Sequence, residues 1–293
     1  MLIHKANAGM GKGMRILNTD EVIKNIKEMC IEANYQLASD VEERVRGAIA
    51  LETSVLGRQI LGQLNENLDI ATSDQIPICQ DTGMAVVFVK LGQEVHIEGM
   101  NLEDAINEGI REGYEEGYLR KSVVGDPLLR VNTKDNTPGI IHYEIVPGNQ
   151  LELTVAPKGF GSENMSRVIM LKPSDGAEGV KQAVLDTVKL AGPNACPPMV
   201  VGVGIGGDFE KCAILAKKAL ARSMNKPSLL EHIKKMEEEL LLEINQLGIG
   251  PGGLGGRITA LGVNIETYPT HIAGLPVAVN ICCHVNRHVT RVI

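Results

Sequence analysis

Hydrophobic period changes repeatedly along this chain, and the order of the changes leaves few fold classes open. From Thr19 to about Asn67 apolar residues recur at helical spacing, with Val22, Ile23, Ile26, Met29 and Cys30 on one face. Cys30 therefore reads as a core residue. Ser39 followed by Glu42 has the form of a capping box, opening a helix whose apolar positions are Val41, Val45, Ile49 and Leu51. The pattern changes at IPICQDTGMAVVFVKLGQ, where a turn-forming QDTG precedes a β-rich run from Met84 to Leu91. Asn101 to Glu116 returns to helical spacing, and the polar, turn-rich LRKSVVGDPLLRVNTKDNTPG reads as a long functional loop. IIHYEIV and LELTVA flank PGNQ, which predicts an antiparallel hairpin.

The second half continues the alternation. A helix is predicted from about Ala177 to Leu190, then a buried strand after the two prolines of GPNACPPMVVGVGIGG. Two more helical stretches follow in DFEKCAILAKKALAR and SLLEHIKKMEEELLLEINQLG, the latter stopping at Gly248. No internal repeat, heptad array or low-complexity linker interrupts this order. The expected class is α+β (mixed), a helical N-terminal layer followed by mixed sheets flanked by helices.

With 293 residues, 44% of them hydrophobic, the chain can bury one large core or two modest ones. Residues 1–13 read as a flexible extension or expression remnant, and 14–293 as one catalytic domain. A net charge of -7 with scattered Lys and Arg leaves no basic footprint for nucleic acid or an anionic membrane. No apolar run reaches bilayer length and the N-terminus lacks a secretory signal, so a soluble cytoplasmic protein with a small-molecule partner is expected.

Six cysteines are too few for a disulfide-built fold of this length. Three occupy turn-rich settings beside apolar strands: Cys79 before QDTG, Cys196 before Pro-Pro, and Cys283 before HVNRH. Close ligand pairs of the CxxC kind are absent, which disfavours zinc. Taken singly, each thiol reads more readily as a small buried hydrophobe than as a ligand. Cys212 falls on the apolar side of its helix near Phe209 and Leu215 and reads as packing.

Four ordered motifs change that balance: ICQDTG at 78–83, KGFGSENMS at 158–166, ACPP at 195–198 and VNICCHVNRH at 279–288. From about Ser39 onward the chain resembles the iron-sulfur-dependent, class I fumarate hydratases and the α subunits of L-tartrate dehydratases. The resemblance implies a four-iron four-sulfur cluster held by Cys79, Cys196 and Cys283, leaving one iron open to act as a Lewis acid. Cys283 is preferred over Cys282 because the family's ligand lies four residues before the arginine matched here by Arg287. By the same matching, Gln80, Asp81, Arg120 and Gly161 contact substrate, and Asp81 and His271 take part in catalysis. Taken by themselves, QDTG is also an ordinary Asx-type turn, Arg120 a solvated charge, Gly161 a turn residue and His271 a structural histidine.

The resemblance further implies a hydro-lyase interconverting fumarate and malate, with the α subunit of L(+)-tartrate dehydratase as the alternative. It also implies a separate β subunit carrying the second catalytic domain, an α2β2 assembly, and a chain inactive alone. Two other readings compete. GVGIGG at 202–207 fits GxGxxG through Gly202, Gly204 and Gly207, but no second strand ending in an acidic residue follows. A noncatalytic cluster-binding scaffold is opposed by Gln80, Asp81, Arg120 and His271. The glycine-rich GIGPGGLGGR lacks a P-loop ending and follows a helix, so it reads as a flexible or close-packed loop near the active site.

Overall fold

A computed structural model of the protein describes residues 13–293, so the extension expected over residues 1–13 lies outside the described residues except for Gly13. Chain order runs β1 (Arg15–Asn18), α1 (Thr19–Tyr35), α2 (Ser39–Leu51), α3 (Val55–Asp74), β2 (Met84–Gly92), β3 (Val95–Glu98), α4 (Leu102–Glu116), β4 (Ile140–Val146) and β5 (Leu151–Lys158). It continues with α5 (Phe160–Glu163), β6 (Arg167–Leu171), α6 (Gly176–Ala191), β7 (Met199–Gly206), α7 (Phe209–Leu220), α8 (Glu231–Gln246), β8 (Ala260–Tyr268), β9 (Leu275–Cys282) and β10 (Val289–Val292). The class is α+β, as expected. The chain forms two compact units, passing between them after Asn34, Asp81, Pro157 and Arg287.

The first unit contains β1, most of α1, Thr82–Pro157 and the C-terminal strand β10. The α1 face predicted from periodicity is the buried one, carrying Val22, Ile26, Met29 and Cys30. Burial pushes the Cys30 thiol up to about 12, consistent with a core residue. Helix α4 starts where Asn101 Oδ1 accepts from Glu103 N at 2.8 Å, and it buries Ile106, Ile110 and Tyr114.

A mixed four-stranded sheet has the order β10-β5-β2-β4, with β2 and β4 parallel and β10 and β5 antiparallel. The hairpin predicted around PGNQ is therefore not formed, because β2 lies between β4 and β5. The end of β2 enters the turn: Gly92 N donates to Gln150 O at 2.9 Å, Gln93 N to Val146 O at 2.8 Å, and Glu94 N to Gly148 O at 2.9 Å. These bonds take up the backbone groups that a direct β4–β5 pairing would have used. Residues 117–139 form the expected long loop, with one isolated bridge between Val124 and Asn132. Its anchor is the buried Asn136, which accepts from Ser122 N at 2.6 Å and donates to Gly83 O at 3.1 Å.

The second unit contains Tyr35–Asp81 and Lys158–Arg287. The capping box at Ser39 is not formed either. Ala38 takes the N-cap position of α2 without a side-chain bond, and Ser39 lies inside the helix. Glu42 N, the donor a Ser39 cap would have used, donates to Ala38 O at 3.0 Å, while Asp40 turns inward and accepts from Met224 N at 2.6 Å.

The unit's sheet has the order β6-β9-β7-β8, with β7 and β8 parallel and β9 antiparallel to both β6 and β7. Val201, Val203, Ile265, Val277, Val279 and Ile281 form its buried floor together with Leu240 and Ile244 of α8. Helix α7 lies directly on β7, and this contact explains GVGIGG. A Cβ at Gly202 or Gly204 would overlap the Ala216 or Cys212 carbonyl of α7. The glycines thus serve close strand–helix packing. The first turn of α7 is occupied by Asp208, whose carboxylate accepts from Lys211 N at 2.9 Å where a dinucleotide phosphate would sit. Cys212 is buried against Ala216 and Ala278, as its helical position implied. Among the described residues no helix is long and apolar enough to cross a membrane.

Candidate active site

Four loops of the second unit carry the singled-out motifs. Cys79, Gln80 and Asp81 follow α3 on a segment held by Asn67, whose side-chain amide donates to Ile78 O at 2.9 Å. Cys79 is half-buried and Gln80 exposed. The Asp81 carboxylate accepts from Phe160 N at 2.9 Å at the start of the KGFGSENMS segment. It rests against Gly159, where a Cβ would stand 3.0 Å from its Oδ2, so a side chain there would crowd the carboxylate. Arg287, buried at the other end of the unit's sequence, donates to the Asp81 carbonyl. Gly161 lies one residue past Phe160 and is exposed.

The three candidate ligand thiols approach the same region. Cys79 and Cys283 both pack against the cluster containing Val200, Cys282 and Val285. Cys196 ends a one-turn 3-10 helix in a left-handed conformation, with φ 51°. Burial, and then the charge of neighbouring Cys79, push the Cys196 thiol up. The Cys196 carbonyl meets His284 Nδ1 at 3.2 Å, which ties it to the segment carrying Cys283. Burial pushes the His284 imidazole down, favouring its neutral form.

A buried cationic floor underlies Cys282 and Cys283. Lys158 is buried, donating to Ser162 Oγ at 2.9 Å and pairing with Glu163 at 3.3 Å. Glu163 also pairs with Lys217 and accepts from Asn280 Nδ2 at 2.9 Å. Burial pushes the Glu163 carboxyl up, but Lys217 and Lys158 outweigh it and hold it below the usual range. The hydrogen bond from Cys283, helped by the charges of Lys158, Arg287 and Lys217, draws the Cys282 thiol down to about 6 despite its burial. The same bond, together with burial and the charge on Cys282, pushes the Cys283 thiol well up, so within the pair negative charge is favoured on Cys282.

This donor set suits a cluster better than a single ion. One ion requires its ligands to converge on a point, and among the described residues no three His, Cys, Asp or Glu side chains do so. Ligands of a four-iron cluster attach at separate corners, and each needs a thiolate and compensating positive charge nearby. Cys79, Cys196 and Cys283 stand on three separate loops, and Lys158, Lys217 and Arg287 supply positive charge beside the Cys282–Cys283 segment.

Of the other predicted residues, His271 stands apart from this group within the second unit, and Arg120 belongs to the first. His271 lies on the exposed turn before β9, whereas Cys283 follows the other end of that strand. Eight residues of strand span roughly 25 Å. Within the turn, His271 Nδ1 accepts from Ala273 N at 3.1 Å. Arg120 belongs to the first unit, where its side chain is exposed and its carbonyl accepts from Thr82 Oγ1 at 3.0 Å. Lys158, Ser162, Glu163, Asn280 and His284 were not singled out from sequence, although all five lie inside the motifs that were.

Comparison with known proteins fits this architecture. The family model described as Fumarate hydratase (Fumerase) matches residues 23–292, and the chain belongs to that family of hydro-lyases. It is 43% identical over 268 residues to a Methanocaldococcus jannaschii protein provisionally named L(+)-tartrate dehydratase subunit alpha, covering 89% of this chain and 94% of the relative. It is 34% identical over 276 residues to the L(+)-tartrate dehydratase subunit alpha of Escherichia coli strain UTI89, covering 92% and 89%. Identity to the protein of the same name from strain K12 is 33% over the same length.

Proposed function

We propose that this chain is the α subunit of a hydro-lyase that dehydrates a hydroxy dicarboxylate, with L(+)-tartrate as the first candidate substrate. The observation that carries the proposal is the grouping of Cys79, Cys196 and Cys283 on loops of one unit, beside an anchored Asp81 and with Lys158, Lys217 and Arg287 near the Cys282–Cys283 segment. Fumarate and malate, favoured by the sequence reading, stand second. The matched family is named for fumarate hydratase, but the relatives at 43% and 34% identity carry the tartrate name.

Cys79, Cys196 and Cys283 would hold a four-iron four-sulfur cluster. When bound, it would supply a Lewis-acidic iron that polarises the departing hydroxyl. Dehydration also needs fixed carboxylates and a proton moved from the neighbouring carbon. Asp81 is suited to moving or holding that proton, because Phe160 N–H fixes one oxygen and Gly159 leaves space beside it. Gln80, exposed next to it, offers an amide to a substrate carboxylate or hydroxyl. Gly161 admits close approach of substrate to backbone. Arg120 and His271 enter the proposal on the family resemblance alone. A separate β subunit supplies the rest of the site, in keeping with the α designation of the relatives.

The test is anaerobic reconstitution of the chain with iron and sulfide, with and without the candidate β chain. Oxaloacetate from L(+)-tartrate and fumarate from L-malate are then assayed side by side. Turnover of tartrate only in the two-chain sample is expected. Preferred turnover of malate reverses the substrate assignment, and no dehydration of either acid sinks the proposal.

A further inference from the structure

Glu52 belongs to none of the motifs, yet its buried carboxylate gathers four backbone N–H groups. Oε1 accepts from Thr53 N at 2.7 Å and Ser54 N at 2.8 Å, and Oε2 accepts from Ile258 N at 2.7 Å. Arg257 N spans both oxygens at 2.9 Å. Burial opposes the charge, but the hydrogen bonds from Arg257, Ser54, Ile258 and Thr53 hold the carboxyl below its usual range. At Gly256 a Cβ would lie 2.9 Å from either carboxylate oxygen.

The segment that Glu52 grips is the glycine-rich stretch between α8 and β8, and this stretch braces the Cys196 turn from both sides. Gly252 N donates to Pro197 O at 2.8 Å, one residue after the thiol. Gly253, with φ +73°, packs so closely on Pro193 that a Cβ would overlap its ring. Past the stretch, Met199 N donates to Thr259 O at 2.8 Å. Cys196 needs such bracing, because a non-glycine residue at φ 51° persists only where its surroundings enforce it.

We infer that Glu52 is a positioning residue, clamping the glycine-rich segment 250–258 so that this segment holds Cys196 in the left-handed turn from which its thiol is presented. The functional sense of the inference rests on Cys196 being a cluster ligand. The geometry it asserts belongs to the metal-free chain and is tested there.

Glu52→Gln keeps the volume but turns one acceptor into an NH2 group, which faces N–H donors whichever way the amide is oriented. Alkylation of the metal-free chain with iodoacetamide, read by mass spectrometry at each cysteine, gives the Cys196 rate relative to Cys79. A several-fold change in that ratio is expected, with Cys30 and Cys212 still protected. On anaerobic reconstitution the same variant should retain less iron and show weaker visible absorption than wild type. A wild-type Cys196 to Cys79 ratio in the folded variant overturns the inference. Should Cys30 and Cys212 become reactive, marking unfolding, Gly253→Ala reads the same ratio by pushing the segment against Pro193. An unchanged ratio there overturns the inference as well. If wild type itself takes up no cluster, the ligand reading fails while the alkylation result still decides the role of Glu52.

Discussion

Cys30 and Cys212 ride on amphipathic helices and are fully buried, whereas Cys79, Cys196 and Cys283 lie on loops next to apolar strands. The thiol is the same in each case, and what differs is the backbone that presents it and the charge around it. Serine at Cys79, Cys196 or Cys283 is therefore expected to abolish the visible absorption of the reconstituted chain. Serine at Cys30 or Cys212 should leave the absorption intact, while lowering stability through a hydroxyl buried in an apolar site. Equal loss at all five positions, read by absorption spectroscopy, would contradict the ligand assignment. At this scale periodicity alone identified the two core thiols. The other three became ligand candidates through motif resemblance alone, since spacing between distant loops says nothing about convergence.

Packing of α7 on β7 depends on the absence of side chains at Gly202 and Gly204. Gly204→Ala would force a methyl group against the Cys212 carbonyl, so the strand or helix must shift. Destabilisation of about 1–3 kcal/mol, as for an overpacked core, is expected in urea unfolding. A wild-type midpoint would refute the close-packing account. The 117–139 loop depends instead on Asp135, which accepts from Thr137 N at 3.0 Å and from Arg111 Nε at 3.2 Å. Burial pushes its carboxyl up, but the bonds from Thr137 and Arg111 prevail and bring it down to about 2. Because the folded value lies below the unfolded one near 3.9, its stabilisation is fully present above about pH 4 and is lost as pH falls through about 2. Asp135→Asn should thus be less stable than wild type at pH 6, and the gap should narrow steadily between pH 4 and pH 2 in denaturant titrations. A gap independent of pH would show that the charge is not what matters.

For the molecule as a whole, a cluster on Cys79, Cys196 and Cys283 would join segments far apart in sequence. A group bound by the native chain and not by the unfolded one stabilises by mass action. Anaerobic removal of iron from the reconstituted chain is accordingly expected to lower Tm by several degrees, measured by differential scanning fluorimetry. No change would indicate that the three thiols are not joined by metal. Helices α1 to α4 and α6 to α8, and the α+β class, were written in the sequence, because apolar period follows directly from which face of an element is buried. Strand partnership was not, and β2 displaced the hairpin pairing of β4 and β5 because pairing is chosen by the whole sheet. The local cap signal at Ser39 failed because the helix begins one residue earlier, with Glu42 N bonded to Ala38 O. The motifs named the candidate site residues, but only tertiary structure put Arg287 against Asp81, placed Lys158 and Lys217 near Cys282, and set Glu52 behind the Cys196 turn. It also set His271 a strand's length from Cys283. Hydrophobic pattern records burial one element at a time, whereas a site is a matter of distances between elements, which exist only once the chain has folded.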